Sequence, residues 1–98
     1  MEQNNENNAM SEIHYTESAR LLERGKKVLA GGVSSEFRKY NHPHALFYTH
    51  GKGSSIYDAD GNEYLDFTLS QGPLILGHSH PEVVKAIADY SKGGQLYA

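Results

Sequence analysis

The chain has 98 residues, with 9 Lys and Arg against 12 Asp and Glu, so its formal net charge is −3. This mild acidity gives no reason to expect a nucleic acid or an anionic membrane as a partner, and no apolar run approaches the ~18 residues needed to cross a bilayer. Cysteine is absent, which excludes disulfides, thiolate catalysis and Cys-ligated zinc and fits the reducing cytoplasm.

The N-terminus is polar. Residues 1–10 contain four Asn, one Gln and two Glu, a composition that buries too little apolar surface to offset the entropy of ordering. We therefore expect residues 1–15 to form a disordered leader and residues 16–98 to carry the fold.

A helix is predicted from Glu17 to about Ala30. Thr16 or Ser18 can cap its N-terminus, and the pair Gly31-Gly32 supplies a positive-φ stop. The small and apolar residues that share one helical face are Leu21, Leu22, Gly25, Val28 and Leu29.

Three short β-like runs follow, at residues 45–50, 54–58 and 63–68. Asp60-Gly61 lies between the second and third runs and is a strong hairpin signal. Their alternation predicts a three-stranded antiparallel meander, with Ile56, Leu65 and Phe67 as the inward set.

The last part of the chain combines an unusually apolar loop with a second helix. Leu74, Ile75 and Leu76 lie inside the loop at residues 69–79 and need cover from another element. Pro81 at the first helical position opens the second helix, and Gly93-Gly94 ends it. Its predicted buried stripe is Val83, Val84, Ile87, Ala88 and Ser91. The fold class is therefore α+β.

Three patterns suggest ligand chemistry but have simpler structural interpretations. The pairs His42-x-His44 and His78-Ser79-His80 resemble metal ligands, yet this spacing suits a strand, so we expect His80 to cap the helix and His78 to bond in a turn. The glycine-rich run 51–55 leads into a strand, whereas phosphate loops open a helix, so a plain hairpin turn is favoured. Acidic residues flank the hairpin as its turn chemistry and exposed face require: Asp58, Asp60, Glu63 and Asp66.

Three motifs in order carry a resemblance. They are VLAGGV at 28–33 followed by Arg38, GKGxxIYDADGNEYLDF at 51–67, and GPxILGHxHP at 72–81. In combination they resemble the N-terminal portion of a class III pyridoxal-phosphate aminotransferase, close to the glutamate-1-semialdehyde 2,1-aminomutase branch. The resemblance covers residues 16–98 and implies the small domain running into the start of the large domain of a fold-type I enzyme.

The resemblance also implies which parts of the chemistry are present. Family members are much longer, and their Schiff-base lysine, the Asp that partners the pyridinium nitrogen and the phosphate cup come after this segment. None of the chain's six lysines matches the Schiff-base position: Lys26, Lys27, Lys39, Lys52, Lys85 and Lys92. We therefore expect no catalytic, cofactor-binding or metal-binding residue here, and no activity from the 98 residues alone.

Four substrate-binding residues follow from the resemblance. Arg38 matches an Arg that pairs with the substrate carboxylate, and Ser70, Gln71 and Gly72 match a loop that lines the pocket near the dimer interface. The branch has Trp where this chain has Gln71, and Asn-Ser-Pro-Val where it has residues 34–37. Loss of the aromatic wall favours an aminotransferase for another carboxylate-bearing α- or β-amine.

The expected parent is thus a cytoplasmic homodimer that uses pyridoxal phosphate and moves an amino group from a small-molecule donor to an oxo acid. Its large domain or partner subunit would cover the apolar loop at residues 74–76. One alternative is the aminomutase, which returns the amino group to the same carbon skeleton. A second alternative is a catalytically inactive small interaction module.

Overall fold

The computed structural model describes residues 12–95, which form two helices and one three-stranded sheet. The helices are α1 (Thr16–Gly25) and α2 (Pro81–Ser91), and the strands are β1 (Tyr48–Lys52), β2 (Ser55–Asp58) and β3 (Glu63–Leu65). The α+β class predicted from the sequence is confirmed. The predicted leader lies mostly outside the described residues, and the boundary at residue 15 stays a prediction.

Helix α1 ends five residues before the predicted end at Ala30. After Gly25 the backbone hydrogen bonds change from the i to i−4 pattern to i to i−3, as Lys27 N–H donates to Arg24 C=O at 3.2 Å. Leu29 is then extended (φ −125°, ψ 136°). The chain then folds back until a Cβ on Gly25 would lie 2.8 Å from the carbonyl oxygen of Gly32. Gly31 and Gly32 have the positive φ angles that were predicted. These angles turn the chain back toward Gly25 and do not end the helix.

The sheet has the predicted meander order, β1-β2-β3, with both neighbouring pairs antiparallel. The predicted inward set is wrong. Because Ile56 pairs with Tyr64 while Leu65 pairs with Ser55, Ile56 and Leu65 lie on opposite faces. Leu65 is 60% exposed and Phe67 86% exposed. Alternation identifies which residues share a face, but the register decides which strands' residues meet there.

The N-terminus of α1 is hydrogen-bonded to the segment that leads into β1. Asp58 is 2% exposed and Ser18 is fully buried, and the Ser18 hydroxyl accepts the Phe47 N–H at 3.3 Å. Within residues 12–95, Ala45 is the one residue with an apolar side chain that is buried, at 4% exposed. Polar contacts therefore provide much of the order in this part of the fold.

Helix α2 begins at Pro81, as predicted, but its apolar stripe is not buried against the described residues. Val84 is 50% and Ile87 64% exposed, and the adjoining loop leaves Ile75 82% exposed. No helix in the described part of the chain is long and apolar enough to cross a membrane.

Candidate functional site

Arg38 lies in a short 3-10 turn, Glu36–Tyr40, which follows the return loop after α1. Its Nη1 donates to the Ser34 hydroxyl at 2.7 Å, and the side chain borders a cavity of about 340 Å³. The cavity is lined by Leu29, Gly32, Val33, Ser34, Arg38, Ala45, Leu46, Phe47 and Tyr48.

The chemistry of this cavity is simple. Aliphatic and aromatic side chains form most of its wall, and the Arg38 guanidinium supplies a permanent positive charge with several N–H donors. Such a charge binds a carboxylate through short, charge-assisted hydrogen bonds. The arrangement suits a small apolar group that carries a carboxylate.

Ser70, Gln71 and Gly72 lie elsewhere, in the 3-10 turn Leu69–Gln71 and its cap. All three are exposed, and none of them lines the cavity beside Arg38. The structure thus places the four sequence-predicted binding residues on two separate loops. Their joint role in one pocket stays a prediction.

Asp58 lies at the centre of the hairpin's hydrogen bonds. The sequence predicted an exposed position for it, and that prediction is wrong, because the side chain is buried. Its Oδ1 accepts the N–H groups of Asp60 (3.0 Å) and Asn62 (2.8 Å), while Oδ2 accepts Asn62 Nδ2 (2.9 Å) and the Tyr64 hydroxyl (2.8 Å). Burial pushes the pKa of Asp58 upward, but these hydrogen bonds outweigh it and hold the pKa below 3.8. A carboxylate satisfied in this way is a structural anchor, not an acid or base.

Asp66 and His78 form a pair that sequence reasoning missed. Asp66 Oδ2 lies 2.7 Å from His78 Nε2, and the two side chains are 9% and 20% exposed. The hydrogen bond from His78, followed by those from the backbone N–H groups of Thr68 and Leu69, lowers the pKa of Asp66. The signal was available, because the second and third motifs each carry one partner.

The glycine-rich run at 51–55 is a hairpin turn, as predicted. Gly53 follows β1 and exchanges two backbone hydrogen bonds with His78, at 2.9 and 2.8 Å. A Cβ on Gly51 would lie 2.7 Å from the His78 ring, so glycine is needed there for the ring to approach. The turn therefore holds the third motif in place.

The pair His78-Ser79-His80 meets its structural expectation only in part. His78 bonds in a turn as expected, and His80 occupies the N-cap position of α2 but makes no side-chain cap bond. Its Nδ1 is buried without a partner among the described residues. Within residues 12–95 no three His, Asp or Glu side chains are grouped closely enough to hold a metal ion.

The six lysines lie on the surface of the described residues. All six are exposed; Lys26 bonds Glu23 at 2.6 Å, and Lys92 lies 3.4 Å from Asp89. A lysine that attacks a carbonyl must be free of its proton, which burial favours and exposure does not. That no lysine of this chain is the Schiff-base residue stays a prediction from the resemblance.

Comparison with known proteins gives a consistent result. The family model "Aminotransferase class-III" matches residues 37–97. A glutamate-1-semialdehyde 2,1-aminomutase from Listeria monocytogenes serotype 4b is 53% identical over 86 residues, which are 86% of this chain and 20% of that protein. The chain thus spans about a fifth of the length of the curated relatives it matches.

Solved structures share the fold. An omega-transaminase from Sphaerobacter thermophilus superposes with a TM-score of 0.71 at 36% identity, over 83% of this chain and 18% of that one. A beta-phenylalanine aminotransferase from Variovorax paradoxus gives 0.70 at 30% identity, over 81% of this chain and 18% of that one.

Proposed function

We propose that this chain, which belongs to the class-III aminotransferase family, forms the N-terminal part of a pyridoxal-phosphate-dependent aminotransferase. The whole enzyme moves an amino group between an amino acid or amine and an oxo acid. It is a cytoplasmic homodimer, and the 98 residues alone are inactive because the Schiff-base lysine of the family matches none of their six lysines.

The observation that carries the proposal is the Arg38 cavity. A guanidinium beside an apolar wall of leucine, valine, phenylalanine and tyrosine binds a substrate by its carboxylate and accommodates its side chain. Arg38 orients the substrate, and the cofactor supplies the electron sink when bound. Ser70–Gly72 do not line this cavity in the described residues and add a second wall only in the assembled enzyme. The reactive lysine comes from the remainder of the enzyme.

The exposed apolar surface supports a place in a larger protein. Ile75, Leu76 and Ile87 are 82%, 59% and 64% exposed, and the relatives are about five times as long as the matched segment. We propose that the rest of the aminotransferase polypeptide covers these side chains. An interaction module would also expose apolar surface, so it is the class-III family match that favours the enzyme over that alternative.

The aminomutase remains a second candidate, because relatives with that name reach 53% identity. Gln71 separates the two activities, since the aromatic residue that the aminomutase branch places there is absent. We expect Gln71 to favour amino transfer to an external oxo acid.

The test uses a chimera in which this chain replaces the matching segment of the Listeria monocytogenes relative. The chimera should bind pyridoxal phosphate and transfer an amino group from a carboxylate-bearing amine to an oxo acid. Arg38→Ala should raise KM for that amine roughly 10- to 100-fold, the value of one charge-assisted hydrogen bond or two. A primary amine without a carboxylate should be unaffected.

Two matched variants complete the design. Arg24→Ala, on the exposed surface of α1, should leave both KM values unchanged. Gln71→Trp should restore conversion of glutamate-1-semialdehyde in the chimera. An unchanged KM in Arg38→Ala would refute the carboxylate role, and strong aminomutase activity with Gln71 in place would make the second candidate the correct one.

A further inference from the structure

Three consecutive non-glycine residues adopt left-handed backbone conformations. The φ angles of Leu69, Ser70 and Gln71 are 49°, 52° and 67°, and Gly72 follows at 118°. Side chains of L-residues disfavour this region because Cβ crowds the following carbonyl. A run of this kind persists only where surrounding contacts enforce it.

The enforcing contacts begin at Asp66. Its Oδ1 accepts the Thr68 N–H at 2.8 Å and the Leu69 N–H at 3.2 Å. Thr68 is right-handed (φ −80°, ψ −34°) and Leu69 left-handed, and successive N–H groups across such a reversal converge on one anion. The Asp66 carboxylate fills that position and fixes the point where the chain changes hand.

The other oxygen of Asp66 reaches the far end of the same loop. Oδ2 lies 2.7 Å from His78 Nε2, and an ionised carboxylate only accepts, so this nitrogen carries the proton. His78 is itself fixed by its two backbone bonds to Gly53, and the Asp66 N–H donates to Ser54 C=O at 2.8 Å. The carboxylate therefore joins the two ends of the 67–77 loop to each other, and backbone bonds of Asp66 and His78 tie both ends to the β1–β2 turn.

We propose that Asp66 and His78 are positioning residues for the substrate pocket: together they close the 67–77 loop and hold Ser70, Gln71 and Gly72 in the left-handed geometry that presents them to the substrate. This inference rests on the proposed function, which makes those three residues part of the pocket. Neither Asp66 nor His78 touches the substrate.

The first measurement concerns the loop alone, in the 98-residue chain. Three-bond coupling constants between Hα and the preceding carbonyl carbon, measured for Leu69, Ser70 and Gln71, are large at positive φ and small at negative φ, so they report the left-handed conformation. Asp66→Ala should move all three toward the values of ordinary extended or right-handed residues. Asp66→Asn keeps an acceptor oxygen for the two N–H groups and an amide that can face His78, so it should retain most of the original couplings.

The matched control is Asp89→Ala, which removes an exposed aspartate of α2 that bonds Lys85 and Lys92; the couplings should stay as in the unsubstituted chain. If Asp66→Ala does not fold, the same coupling constants are measured in His78→Ala, where we expect a partial shift. Parent-like couplings in the folded variant would overturn the inference.

The second measurement uses the chimera. Asp66→Ala should raise KM for the carboxylate-bearing amine on the order of 10- to 100-fold, with a smaller change in kcat, because misplaced binding groups lose substrate orientation. Bound cofactor absorbance should be retained, and Asp66→Asn should recover most of the loss. Altered couplings with an unchanged KM would also overturn the inference. An inactive parent chimera would instead refute the proposed function, while the couplings still decide whether Asp66 sets the loop.

Discussion

Asp60 caps a helix that begins 44 residues earlier in the chain, at Thr16. From the turn between β2 and β3, its Oδ2 accepts the Ser18 N–H at 2.9 Å and its Oδ1 the Glu17 N–H at 2.7 Å. Burial raises the pKa of Asp60, but the backbone hydrogen bonds from Glu17 and Ser18 outweigh it and lower the pKa. The predicted caps, Thr16 or Ser18, are wrong, since neither side chain makes a cap bond. The second motif thus anchors α1 to the sheet.

Removing this cap should loosen α1 from the hairpin. We expect Asp60→Ala to lower the urea midpoint of unfolding and to speed amide hydrogen exchange at Glu17 and Ser18, because those N–H groups lose their acceptor. The urea midpoint and exchange rates of Asp60→Asn should lie between those of the unsubstituted chain and Asp60→Ala, since Asn keeps an amide oxygen as acceptor. Asp89→Ala serves as the surface control, and exchange at Glu17 and Ser18 equal to that of the parent would contradict the cap.

Tyr64 should contribute to stability through its hydroxyl. Burial, followed by the bond to the Asp58 carboxylate, raises the pKa of Tyr64, and the donor lies 2.8 Å from Asp58 Oδ2. Tyr64→Phe leaves that buried oxygen one donor short, so we expect a loss of about 1–3 kcal/mol in the free energy of unfolding, measured with urea.

The control for Tyr64 is Tyr40→Phe. Tyr40 is 66% exposed and its hydroxyl bonds Glu36 at the longer distance of 3.3 Å, so the change should stay within about 0.5 kcal/mol. Equal effects of the two substitutions would mean that the Asp58 network adds nothing.

Stability should fall in acid. The pKa values of Asp58 and Asp66 lie below 3.8 in the folded chain, so the unfolded chain takes up protons first as the pH drops. Their contribution is fully present above about pH 5 and is lost progressively below about pH 4. Urea midpoints at pH 6 and pH 3 measure this, and Asp58→Asn should reduce the difference. An identical pH dependence in that variant would exclude Asp58 as a source.

Gly51 should tolerate no side chain. A Cβ would lie 2.7 Å from the His78 ring, which is held by Asp66 and cannot move aside freely. We expect Gly51→Ala to cost about 1–3 kcal/mol through overpacking. At Gly53, φ is +57° and a Cβ would meet nothing within 4 Å, so Gly53→Asn should cost no more than about 1 kcal/mol. Urea unfolding of both variants measures these losses. A larger loss in the free energy of unfolding for Gly53→Asn than for Gly51→Ala would contradict the prediction.

Ile87 should matter only when the rest of the enzyme is present. Because it is 64% exposed, Ile87→Ser should change the stability of the chain alone by less than about 0.5 kcal/mol. In the chimera the same substitution should cost about 1.5–3 kcal/mol, the value of burying an isoleucine side chain. Lys85→Ser, on a residue whose side chain is 78% exposed, is the control. Equal effects of Ile87→Ser in both proteins would show that nothing covers α2.

The sequence by itself determined the features that depend on neighbours in the chain. Pro81 marked the start of α2, Asp60-Gly61 marked the β2–β3 hairpin, and three ordered motifs identified the family. These signals are local, because turn chemistry, proline geometry and residue periodicity act over a few residues.

Only the tertiary structure decided what each polar residue does. Asp58, Asp60 and Asp66 looked alike as turn residues, yet one is a buried anchor, one caps α1 and one ties a strained loop to His78. The end of α1 at Gly25 and the opposite faces of Ile56 and Leu65 were likewise hidden. Each depends on partners far along the chain or on strand register, and the free energy of such contacts is set by which distant groups meet, not by local sequence preference.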